Sequence, residues 1–148
     1  MKILLLNGPN LALLGTREPQ IYGTDTLDSI VAAVKARGAE LGAEVAHLQS
    51  DAEGALVAAL GRAARTCDGV VINPAAYTHC SVALHDALLA CGLPAVEVHL
   101  SNVYRREGYR HESLTAGACI GQVTGFGPYG YIMALEALVR EIRRREGR

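Results

Sequence analysis

Short apolar runs and longer amphipathic stretches alternate along the whole chain. Lys2 to Leu6 is apolar after its first residue and reads as a buried strand. From Thr26, an N-cap type, Leu27, Ile30, Val31, Val34 and Leu41 fall close to one face and predict a helix that Gly42 ends. A second strand is predicted over Glu44 to Leu48. A second helix follows over Glu53 to Arg65, with Leu56, Val57 and Leu60 turned inward. Gly69 to Ile72 is a continuous, largely β-branched run, the pattern of a strand covered on both faces. Ser81 to Cys91 predicts a third helix closed by Gly92 and Pro94, and Ala95 to His99 a fourth strand. A loop from Leu100 to Thr115, a short strand near Ala118 to Val123 and a last helix from about Tyr131 to Arg145 complete the series.

Five short apolar strands alternating with helices predict an α/β protein with a parallel sheet covered on both sides. At this length the expected form is a flavodoxin-like, doubly wound, five-stranded sheet. No repeat, linker or low-complexity segment interrupts the pattern, so residues 1–148 are expected to form a single domain. Ligands of such sheets sit beyond the carboxyl ends of the strands, which directs attention to the residues after Leu6, Leu48, Ile72, Val98 and Val123.

Composition changes this picture little. Half of the 148 residues are hydrophobic, a fifth are charged and the formal net charge is −1. That balance offers nothing to nucleic acid or to an anionic membrane surface. Arg140, Arg143, Arg144, Arg145 and Arg148 cluster at the C-terminus among Glu141 and Glu146; cations suit a helix C-terminus, and a phosphate-binding patch is the other reading. The four cysteines, Cys67, Cys80, Cys91 and Cys119, form no CxxC and no zinc-type pairing with histidine. They point to a reducing compartment. With no signal peptide and no apolar run near the ~20 residues of a membrane span, a cytoplasmic protein is expected.

Candidate chemistry gathers at the strand ends. Asn7 to Gly23 is a 17-residue connection rich in Gly, Pro and polar groups, far longer than the usual strand-to-helix link. It carries Arg17 and Tyr22. A cation beside a phenol favours phenolate and makes a tyrosine into a general base; the alternative is a lid whose tyrosine only packs. Asn73 and His79 follow the third strand, and Leu100, Ser101 and Arg110 follow the fourth. Glu97 and His99 are two apart on one strand and so share a face. The carboxylate can hold one imidazole nitrogen and favour the imidazolium, leaving the other nitrogen as a general acid, unless the pair is only structural. Free backbone N–H groups near Ser81 and after His99 suit a carboxylate. No GxGxxG or P-loop pattern follows the first strand, no carboxylate cluster suits magnesium, and His79 and His99 lack a sensibly spaced third metal ligand. No base is evident for Cys80.

Three blocks, LNGPNLALLGTREPQIYG at 6–23, INPAAYTHCSVALHDAL at 72–88 and VEVHLSNVYRREGYRHES at 96–113, with a weaker GFGPYGYIMAL at 125–135, resemble the type II 3-dehydroquinate dehydratases. The resemblance runs in order over nearly the whole chain. It implies elimination of water from 3-dehydroquinate to give 3-dehydroshikimate, in the shikimate pathway, without metal or cofactor. It further implies that Tyr22 removes the proton next to the ketone, that Arg17 keeps the phenol ionised and helps close the lid, and that Asn10 helps stabilise the enolate. His99, oriented by Glu97, would protonate the departing hydroxyl. Asn73, His79 and Arg110 would bind substrate hydroxyls, and the amides of Leu100 and Ser101 its carboxylate. Asp86 would reach the active site of a neighbouring subunit in a homo-oligomer of trimers, four of which commonly form a dodecamer.

The chain departs from the family pattern at Ala12, often asparagine or glycine, at His85, commonly arginine, and at Gly108-Tyr109, usually Pro-Phe. The last change is expected to loosen the loop of Arg110, and His85 leaves the intersubunit pairing of Asp86 open. Two other readings keep the same fold: a silent flavodoxin-like binding module, and the same lyase working in quinate catabolism.

Overall fold

The computed structural model describes residues 1–16, 18–22 and 24–147, with the backbone alone at Tyr22. Its strands are β1 (Lys2–Asn7), β2 (Glu44–Gln49), β3 (Gly69–Asn73), β4 (Ala95–His99) and β5 (Gly121–Thr124). They form one parallel sheet in the order β2-β1-β3-β4-β5, the doubly wound, flavodoxin-like arrangement. Its helices are α1 (Pro19–Tyr22), α2 (Leu27–Glu40), α3 (Glu53–Thr66), α4 (Val82–Cys91) and α5 (Tyr129–Arg145).

The alternation of side chains along a strand builds two cores. Ile3 and Leu5 of β1, Val71 of β3 and Val96 and Val98 of β4 pack with α2 and α5. Leu4, Leu6, Val70, Ile72 and Ala95 face the other way, onto α3 and α4. Each large aliphatic side chain buried this way contributes about 1.5–3 kcal/mol. The helix ends follow the local chemistry. Thr26 Oγ1 accepts the Ser29 N–H at 3.1 Å and Ser81 Oγ accepts the Leu84 N–H at 2.9 Å. Gly42 and Gly92 take φ of 70° and 68° where α2 and α4 stop, a conformation that costs glycine nothing.

Two boundaries differ by more than one residue from the pattern-based reading. The last strand begins at Gly121 rather than near Ala118, because Ala116–Ala118 forms a 3-10 turn with the Cys119 N–H on the Ala116 carbonyl. The last helix begins at Tyr129, two residues early, after Pro128, whose φ of −57° is already helical. The connection after β1 also holds a 3-10 turn, Leu11–Leu13, and the single turn α1.

β1 and β3 are riveted together at their carboxyl ends. The Gly8 N–H donates to the Asn73 carbonyl at 2.8 Å, and Gln49 Nε2 donates to the Gly8 carbonyl at 3.1 Å. A Cβ on Gly8 would lie 2.5 Å from the Pro74 carbonyl oxygen. Only glycine permits that approach, and it closes the floor at the point where the strand order reverses.

Candidate active site

Over that floor opens a cleft of about 720 Å³, counting its mouth, lined by Asn10, Asn73, His79, His99, Ser101 and Arg110 among others. The size and the few convergent polar groups suit a small polar ligand. Seven of the sequence candidates line it: those six and Leu100. Glu97 stands behind His99, fully buried. Asp86 is exposed on α4 and does not line the cleft. Arg17 lies outside the described residues, as does the side chain of Tyr22.

β4 presents the Glu97–His99 pair as the spacing predicts. His99 Nε2 is 2.6 Å from Glu97 Oε1, so Nδ1 is the nitrogen left for a ligand. The same oxygen accepts from Thr78 Oγ1, Ser113 Oγ and Gln122 Nε2 at 2.8, 2.9 and 2.9 Å, and Oε2 accepts from Thr115 Oγ1 at 2.6 Å. Burial pushes the Glu97 carboxyl up, but the His99 bond and charge, with the Thr115 and Thr78 hydroxyls, outweigh it and hold the group at about 2. Glu97 is therefore a buried, fully satisfied carboxylate at neutral pH. The hydroxyl and amide partners were not legible in the sequence: they come from three separate places, and a Thr or Ser in a loop carries no periodic signal.

His79 Nδ1 donates to the Glu112 carbonyl at 2.7 Å, which leaves Nε2 as an acceptor toward the cleft. Arg110 Nε donates to Glu107 Oε2 at 2.9 Å, and its guanidinium carbon lies 5.1 Å from the centre of the Tyr109 ring. The expected loosening at Gly108-Tyr109 is thus opposed by a 3-10 turn, an ion pair and a cation–π contact. Arg106, which sequence reasoning passed over, also lines the cleft, with Nη1 3.4 Å from Ser101 Oγ. Among several arginines in one loop, no spacing rule selects it.

Asn10 takes a left-handed backbone, φ 66°, tolerated by asparagine. Its N–H donates to Asp51 Oδ1 at 2.9 Å, and Tyr77 Oη donates to the Asp51 carbonyl at 2.7 Å. Ala75, beside the cleft, is also left-handed, φ 51°. Such a residue with a Cβ stores about 1–3 kcal/mol of strain, a feature that clusters at functional sites. Cys80 is exposed and does not line the cleft. Among the described residues no group of three or more His, Cys, Asp or Glu is placed to hold a metal ion.

Comparison with known proteins gives a consistent set of relatives. Residues 1–139 match the family described as dehydroquinase class II. A 3-dehydroquinate dehydratase of Jannaschia sp. (strain CCS1) is 54% identical over 97% of this chain and 97% of its own. One from Clostridium perfringens (strain SM101 / Type A) is 51% identical over 97% and 99%. The crystal structure of the type II dehydroquinase from Butyrivibrio crossotus DSM 2876 superimposes with a TM-score of 0.91 at 45% identity, covering 93% of this chain and 97% of that one.

Proposed function

The chain belongs to the class II dehydroquinase family, and from that premise we propose how its cleft eliminates water from 3-dehydroquinate. The enzyme is a carbon–oxygen hydro-lyase of the shikimate pathway, and its product is 3-dehydroshikimate. The observation that carries the mechanistic reading is the buried Glu97 carboxylate holding His99 Nε2 at the rim of the cleft. A hydroxide is a poor leaving group, so an acid has to meet it. His99, protonated, delivers that proton from Nδ1, and Glu97 balances the charge that His99 carries.

On the opposite side Tyr22 takes the proton next to the ketone, kept ionised by Arg17, and the electrons pass into an enolate. Asn10 stabilises that oxyanion, and a fixed donor aimed where charge develops is worth much more than one in water. Asn73, His79 and Arg110 hold the hydroxyls, and the Leu100 and Ser101 amides hold the carboxylate. All five line the cleft. No step calls for a metal or cofactor. Proton removal and departure of hydroxide on opposite faces make the elimination anti.

The same reading extends to assembly and place. We take residues 1–148 as one catalytic domain that forms trimers, four to a dodecamer, with Asp86 entering a neighbouring site. Its exposure on α4, beside Val82 and Leu89 at 62% and 58% exposure, supports this. The four free thiols support a cytoplasmic location. Among the described residues no helix is long and apolar enough to cross a membrane.

The product is a conjugated enone and absorbs ultraviolet light where the substrate does not. Purified protein with 3-dehydroquinate in chelator-treated buffer is expected to show growth of that absorbance. Tyr22→Phe is expected to abolish it while substrate still binds; activity retained within about tenfold would move the base elsewhere.

A further inference from the structure

Behind the cleft wall runs a buried chain of side-chain hydrogen bonds in which every donor and acceptor is determined by its neighbour. The Ala75 N–H, which can only donate, meets Asn73 Oδ1 at 3.0 Å. Asn73 Nδ2 must then face the other way, and it donates to Tyr131 Oη at 2.8 Å. With that lone pair used, the phenol proton goes to Asn7 Oδ1 at 2.7 Å. Asn7 Nδ2 in turn meets His47 Nε2 at 3.1 Å. One hydrogen of Asn73 Nδ2 is left over, the side chain's single unused donor, in a residue that lines the cleft.

Tyr131 is the pivot of this chain. It is fully buried under the sheet, carried there by the first turn of α5, and ties Asn7 at the end of β1 to Asn73 at the end of β3. Burial pushes its phenol well above the ordinary tyrosine range against the opposing pull of the Asn73 amide, so it keeps the proton it donates. Among the described residues Tyr131 Oη is the acceptor that Asn73 Nδ2 meets. Without it, the amide could turn about its terminal torsion, which is soft, and lose the aim of its free hydrogen.

We infer that Tyr131 is a positioning residue for substrate binding, holding the Asn73 amide so that its remaining N–H points at a hydroxyl of the bound cyclohexane ring. This rests on the reading above that Asn73 binds a substrate hydroxyl. Tyr131 acts through Asn73 and touches no reacting atom.

The test is a double-mutant cycle on KM and kcat with 3-dehydroquinate as the probe. Asn73→Ala is expected to raise KM about tenfold, the size of one lost hydrogen bond with its desolvation. Tyr131→Phe keeps the ring and is expected to raise KM severalfold with kcat changed less. In the Asn73→Ala background Tyr131→Phe should then leave KM unmoved. If the two effects instead multiply, or if Tyr131→Phe lowers only kcat and thermal midpoint, Tyr131 is structural and the inference falls. If Asn73→Ala leaves KM unchanged, the role of Asn73 itself is wrong, a separate failure. Should Tyr131→Phe fail to fold, Asn7→Ala removes the acceptor that orients the phenol and leaves the ring packed. Its KM rise must likewise vanish when Asn73 is alanine; persistence there overturns the inference.

Discussion

The backbone N–H of Asn10 donates to the carboxylate of Asp51 at 2.9 Å, between the connection that follows β1 and the end of β2. That bond holds Asn10 in its left-handed conformation at the lip of the cleft. Asp51 is itself tied down by Gln49 Nε2 at 3.1 Å and, through its carbonyl, by the Tyr77 hydroxyl.

Asp51→Ala therefore removes the anchor of the Asn10 backbone at the cleft. The expected result is a fall in kcat of about tenfold, the scale of one hydrogen bond to a charged group. Asp51→Asn keeps an oxygen acceptor and should recover most of it. Steady-state kinetics of the two variants checks this; equal losses in both would mean that the charge, not the bond, matters.

The Glu97 carboxylate predicts both a rate and a pH effect. Glu97→Gln should lower kcat by about a hundredfold or more, the scale of one acid–base contribution, with little change in KM. For stability the sign follows from its position at about 2, below the ordinary 4.5. The charged form is favoured by folding, so its contribution is complete above pH 4.5 and is lost as pH falls toward 2. Denaturant midpoints of wild type and Glu97→Gln, measured from pH 7 down to pH 3, should converge as the pH drops.

His47 gives the opposite end of the buried chain a pH sense. Burial, then the nearby Lys35 cation, hold it below the ordinary 6.5, with Asp28 opposing. Its Nε2 accepts from Asn7, which only the neutral ring can do. The neutral form is thus favoured by folding. The contribution is complete above 6.5 and shrinks as pH falls below it. His47→Gln, with an oxygen acceptor that does not titrate, should flatten this part of the stability profile between pH 7 and pH 5, as read by thermal midpoint.

Gly8→Ala places a methyl group 2.5 Å from the Pro74 carbonyl oxygen. Backbone has to move on both β1 and β3. A loss of about 1–3 kcal/mol of stability is expected, together with a lower kcat, because the same shift displaces Asn73. Chemical denaturation measures the first and the absorbance assay the second.

The chain's own pattern determined the architecture. Helix α2 begins at the Thr26 cap and β4 spans Ala95 to His99, as the periodicity predicts, because caps, apolar runs and glycine stops act over a few residues and are written locally. The Glu97–His99 pair was legible for the same reason: a two-residue spacing on a strand settles which face both side chains take. Tertiary structure alone decided the rest. The ring of Thr78, Ser113, Thr115 and Gln122 that keeps Glu97 charged and the Tyr131 bridge between Asn7 and Asn73 join residues far apart in sequence. Each contact exists only because parallel strands bring distant ends to one rim, and no local propensity carries that information.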